Sequence, residues 1–100
     1  MNSINNIDEW NVALENDKIL INFGAKWCNP CKKLKPELEK ISLEKKYENF
    51  KFYKIDIDDF DEISSKLNIT SIPTTIIIKN KKITNRITGI NLNEIIENMI

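Results

Sequence analysis

Ile21-Asn22-Phe23-Gly24-Ala25-Lys26-Trp27-Cys28-Asn29-Pro30-Cys31-Lys32 is the stretch whose reading decides the fold. Its first part closes an apolar run, Ile19 to Phe23, that reads as a strand buried on both faces. Gly24 ends that run. From Pro30 to Tyr47 the apolar positions are Cys31, Leu34, Leu38, Ile41 and Leu43, and most of them fit one helical face. Lys33 with Glu37, Lys35 with Glu39 and Lys40 with Glu44 lie four apart on the other face. Pro36 falls inside this helix and predicts a kink. Two cysteines therefore stand in the turn between a buried strand and a helix.

Working outward, Ile7, Trp10, Ala13 and Leu14 mark an earlier helix, with Asn6 as its N-cap. Phe50 to Ile57 reads as a second strand, rich in aromatic and β-branched residues. Asp58 or Asp59 is expected to cap a short helix carrying Phe60, Ile63 and Leu67. Thr74–Lys79 and Lys82–Thr88 are β-branched runs joined by Asn80-Lys81, the spacing of a tight hairpin. Gly89 breaks the last strand, and Asn91 with Glu94 resembles a capping box opening a final helix. Strands separated by helices pair in parallel through right-handed crossovers, whereas the hairpin pair must be antiparallel. The expectation is one α/β domain over residues 1–100. It has a mixed central sheet of four to five strands flanked by four helices.

Composition removes many functions. The chain has 100 residues, 15 basic against 15 acidic, no histidine and two cysteines. Without histidine there is no Ser-His-Asp or Cys-His hydrolase and no imidazole metal ligand. Zero net charge argues against binding to a nucleic-acid backbone. Only two glycines leave no glycine-rich phosphate loop. The longest uninterrupted apolar run is Ile76-Ile77-Ile78, far short of the roughly 20 residues of a membrane span. Met1 to Asn6 lacks a basic region followed by an apolar run, so a cytoplasmic location is expected.

The cysteine pair admits three readings. A zinc half-site needs two further ligands from carboxylates or a second chain. A structural disulfide closing a two-residue loop constrains the unfolded chain very little. A redox pair fits the strand–helix–strand setting. Cysteines three apart in a first helical turn bring their sulfurs within bonding range. Cys28 lies where the helix's orphan N–H groups point, and Lys26, Lys32 and Lys33 add positive charge. These features favour the Cys28 thiolate, the attacking species, with Cys31 further inside as the resolving thiol.

The motifs together resemble the thioredoxin family from about Ile7 to Ile100. The quoted stretch resembles the family's active site, and Pro36 falls where the family kinks its active-site helix. Ser71-Ile72-Pro73-Thr74 resembles the cis-proline loop, and Gly89 the glycine after the last strand. The resemblance implies that Trp27, Asn29 and Pro30 shape the site. It implies a cis Pro73, with the Ile72 backbone pairing with an extended substrate segment. It also implies no cofactor beyond the cysteine disulfide, and no metal. The implied partners are a thioredoxin reductase-like flavoprotein and disulfide-containing proteins, met by a monomer.

Three positions depart from the family pattern. Asn29 replaces the glycine usual between the cysteines, and Gly24 stands where an aromatic residue is common. Asn22 occupies the place of a buried aspartate thought to exchange the resolving cysteine's proton. Lys54 resembles the lysine paired with that acid. The expected function is protein-disulfide reduction near the family's potential of about −270 mV. The alternative is a redox-weak module that docks a partner around Trp27, Ile72 and Gly89. A glutaredoxin fits less well, because Thr88-Gly89-Ile90-Asn91 does not match its glutathione site.

Overall fold

The computed structural model describes residues 1–100. Five strands form a single sheet in the order β1-β3-β2-β4-β5. They are β1 (Asn2–Ser3), β2 (Lys18–Gly24), β3 (Lys51–Asp56), β4 (Thr74–Lys79) and β5 (Lys82–Thr88). The helices are α1 (Ile7–Ala13), α2 (Asn29–Ser42), α3 (Glu62–Lys66) and α4 (Leu92–Glu97). β1, β3 and β2 pair in parallel, and β4 runs antiparallel to both β2 and β5. This is the thioredoxin fold with its mixed sheet and four helices.

The two-residue period of β2 sorts the core. Ile19, Ile21 and Phe23 point to one face and join Ala13 of α1, Ile63 of α3 and Phe60 just before α3. Leu20 points to the other and joins Leu34, Leu38 and Ile41 of α2 with Ile95 of α4. By the same alternation Asn22 and Gly24 lie on the α2 face. So do Lys54 and Asp56 of β3, which follow Phe52 at intervals of two. A polar row thus interrupts an otherwise apolar sheet face next to the start of α2.

Local signals explain most boundaries. Asn6 Oδ1 accepts the Glu9 N–H at 2.9 Å and caps α1. The hairpin turn places Asn80 at φ 52° and Lys81 at φ 68°, the paired positive values that match strand twist. Asn91 Oδ1 accepts the Glu94 N–H at 3.2 Å, while the Glu94 carboxylate takes the Asn91 side-chain amide at 3.5 Å.

Two expected boundaries move. The helix expected to reach Tyr47 ends at Ser42, and Lys45–Tyr47 forms a separate 3-10 turn. That turn places Tyr47 in the core beside Phe50, which a continued helix would not. The short third helix is flanked by Asp61 and not by Asp58 or Asp59, and no side chain caps it. Asp58 is engaged at the site described next.

Candidate active site

The turn after β2 is fixed by backbone bonds at both ends. The Ile57 N–H donates to the Gly24 carbonyl at 3.0 Å, and the Cys28 N–H to the Ala25 carbonyl at 3.1 Å. Cys28 is itself the N-cap of α2, with extended backbone angles of φ −87° and ψ 109°. Asn29 opens the helix and Pro30 follows, where a missing N–H costs nothing. Asn29 is not in the left-handed region, so the tolerance of Asn for such angles is not called upon.

Cys28 and Cys31 are joined by a disulfide, with Cα atoms 5.3 Å apart. The Cys31 N–H donates to Cys28 Sγ at 3.2 Å. In the reduced state that donor, aided by the helix end, favours negative charge on Cys28 sulfur. Cys28 Sγ also lies 3.9 Å from the Ile72 carbonyl oxygen. The expectation that Cys31 lies further inside needs correction. The two residues are buried alike, at 4% and 7% exposure. Their surroundings distinguish them instead. Cys28 faces the Ile72 loop, and Cys31 backs onto Gly24, where an added Cβ would lie 3.3 Å from its sulfur.

The loop opposite is built as follows. Pro73 is cis and buried, and its carbonyl accepts the Gly89 N–H at 2.8 Å. Gly89 has φ +90°, which frees the chain to turn back at that point. The Ile72 N–H makes no backbone bond within the chain, so this segment has an unpaired edge beside the disulfide. Trp27 is 65% exposed, and its indole N–H donates to Asp58 Oδ2 at 2.8 Å. Ile90, next to Gly89, is also exposed. An apolar rim therefore accompanies the sulfur pair.

The structure brings Cys28, Cys31, Trp27, Ile72, Pro73 and Gly89 to one end of the sheet. Asn22 and Lys54 lie behind them, one layer down. Asn22 is buried, and its side-chain N–H donates to Thr75 Oγ1 at 3.2 Å. Lys54 is its register partner on β3, but no side-chain bond joins the two. The Lys54 ammonium instead faces Lys35 of α2. That neighbour, with burial, holds Lys54 below the usual lysine range, while Glu39 opposes the shift. Lys26 is engaged with Asp59 at 3.7 Å. The sequence offers Asp58 only as a helix cap, and it does not place Thr75, Lys35 or Ile90 at the site. Lys35 appears in the sequence only as a partner for Glu39 on the polar face, yet one turn after Cys31 it lines the same cleft.

No cluster of three or more cysteine and carboxylate side chains is arranged to hold a metal. No helix is long and apolar enough to cross a membrane. A bonded Cys-x-x-Cys pair at a helix N-terminus, beside a cis-proline loop on this sheet, defines a thiol–disulfide oxidoreductase.

Comparison with known proteins agrees. The thioredoxin family model matches residues 3–100. Thioredoxin-1 of Saccharomyces cerevisiae is 34% identical over 84 residues, covering 83% of this chain and 80% of that protein. Thioredoxin of Ictalurus punctatus is 36% identical over 91 residues, covering 88% and 85%. Oxidised mitochondrial thioredoxin 3 of Saccharomyces cerevisiae superposes with a TM-score of 0.90 at 30% identity, covering 99% and 92% of the two chains. Plasmodium falciparum thioredoxin gives 0.90 at 30% identity, covering 99% and 96%. The chain belongs to the thioredoxin family.

Proposed function

We propose that this protein is a protein-disulfide reductase in which Cys28 attacks and Cys31 resolves. The carrying observation is the asymmetry of the pair. Cys28 sulfur receives the Cys31 N–H at 3.2 Å and faces the Ile72 loop, while Cys31 is turned toward the sheet. The Cys28 thiolate attacks one sulfur of a substrate disulfide, and the other leaves as a thiolate. Cys31, once deprotonated, attacks Cys28 sulfur. The second substrate thiolate leaves, and the Cys28–Cys31 disulfide forms. Two electrons pass from the protein to the substrate.

The free Ile72 N–H and the nearby carbonyl suit an extended substrate segment, which adds backbone hydrogen bonds as a strand would. Trp27 and Ile90 supply apolar contact around it. We assign re-reduction to a flavin- and nicotinamide-using reductase. The protein then serves as an electron carrier in a reducing compartment such as the cytosol. The test is turnover of insulin disulfides with dithiothreitol as the electron source. The wild type is expected to accelerate reduction, and Cys28→Ser to remove that acceleration. A folded, fully reduced wild type that does not accelerate it would favour the partner-docking module.

A further inference from the structure

Resolution requires the Cys31 thiol to lose a proton, and the chain has no histidine to take it. Lys54, Asn22, Thr75 and Ile87 lie in register across β3, β2, β4 and β5, on the sheet face toward α2. A cleft of about 430 Å³ opens over one end of this row, and Cys31, Lys35, Lys54 and Asp56 all line it. Cys31 and Lys35 are one helical turn apart and share a face of α2. The chain's three ion pairs join the N-terminus to Glu39, Lys26 to Asp59 and Lys40 to Glu37, so neither Lys35 nor Lys54 is paired. Two ammonium groups thus meet in this cleft with no carboxylate in ion-pair contact with either.

The groups that could take the proton can be taken in turn. Asn22 does not titrate. Asp59 is committed to Lys26. Asp56 Oδ1 accepts the Asp58 N–H at 2.9 Å. Lys32 is exposed on α2. Lys54 is the lysine held against a like charge, with Glu39 as the opposing group one turn beyond Lys35.

We propose that Lys54, as a free amine, accepts the Cys31 proton through solvent in this cleft and returns it when the disulfide is reduced again. The inference rests on the reductase reading above. In the forward step the Cys31 S–H bond breaks, and the proton passes along the relay to the Lys54 amine. The resulting Cys31 thiolate forms the bond to Cys28, and the substrate thiolate leaves with its electron pair. The like charge of Lys35, together with burial, lowers the proton affinity of Lys54 and so raises its share of free amine at any given pH. Lys54 acts through solvent and is a proton-relay residue.

The experiment mixes fully reduced protein with dithiobis(nitrobenzoate) in a stopped-flow instrument. Cys28 attack releases the first thionitrobenzoate, and Cys31 displaces the second. The readout is the ratio of second-phase to first-phase rate as a function of pH. Lys54→Met is expected to lower the ratio at neutral pH by roughly ten- to a hundredfold and to move its inflection upward. Lys54→Arg is expected to behave like Lys54→Met, since it keeps charge but offers no free base. Lys35→Met, at an exposed helix position, is expected to move the inflection upward without abolishing the phase. A wild-type ratio in Lys54→Arg would show that charge alone suffices and overturn the proposal. So would an unmoved inflection in Lys35→Met, or loss of the second phase in Asp56→Asn with the Lys54 variants unaffected. A wild type with no first phase would overturn the reductase reading itself.

Discussion

At position 22 a buried amide stands where the family places an acid, and one side-chain bond, to the Thr75 hydroxyl, holds it. Thr75 is fully buried, so bulk water does not stand beside its hydroxyl to replace it as acceptor. Thr75→Val keeps the shape and removes the acceptor. It is expected to destabilise by about 1–3 kcal/mol, the cost of an unsatisfied buried amide. Guanidinium unfolding measures it, and a loss below about 0.5 kcal/mol would mean that the amide finds another partner. The pair also shows how far the sequence is legible at this scale. Cys28, Cys31, Trp27 and Pro73 announce themselves because their chemistry depends on near neighbours in the chain. Thr75 and Asp58 do not, because they meet their partners at sequence separations of 53 and 31.

Among the elements, the turn out of β5 sets the distance between the last strand and the Pro73 loop. Gly89 donates to the Pro73 carbonyl from a backbone at φ +90°. A Cβ there would meet no atom within 4 Å, so space does not demand glycine. Gly89→Ala therefore isolates the conformational cost, expected at about 1–3 kcal/mol. Urea unfolding decides it, and an unchanged midpoint would contradict the reading. The hairpin and both Asn caps were readable because turn and cap chemistry is local. The end of α2 was not. Leu43 extends the apolar run, but two residues past Ile41 it falls off the buried face and is 87% exposed, and the chain turns so that Tyr47 can enter the core. Tertiary packing overrides periodicity at that point. The start of α3 was misplaced for a similar reason. Asp58 had the chemistry of a cap, but the Trp27 indole claims it.

For the whole molecule, two apolar layers enclose a sheet whose α2 face carries one charged and polar row. That row makes stability depend on pH in a direction that can be worked out. Lys54 in the folded protein is held below its ordinary value of 10.5. Between the folded and unfolded values the unfolded chain binds more protons. Its contribution therefore rises as pH climbs toward 10.5 and is lost as pH falls through the folded value. Wild type should gain stability relative to Lys54→Met as pH rises toward 10.5 in urea unfolding, whereas a pH-independent difference would contradict the like-charge contact. Cys28 toward the Ile72 loop and Cys31 toward Gly24 differ in surroundings although they are buried alike, and the proposed order of attack rests on that difference. The most direct test is the mass, under non-reducing conditions, of the adduct that each single-cysteine variant forms with a disulfide-containing protein substrate. The account predicts a one-to-one mixed disulfide through Cys28 that persists in Cys31→Ser and does not form in Cys28→Ser. A stable adduct through Cys31 in Cys28→Ser, with none in Cys31→Ser, would contradict it.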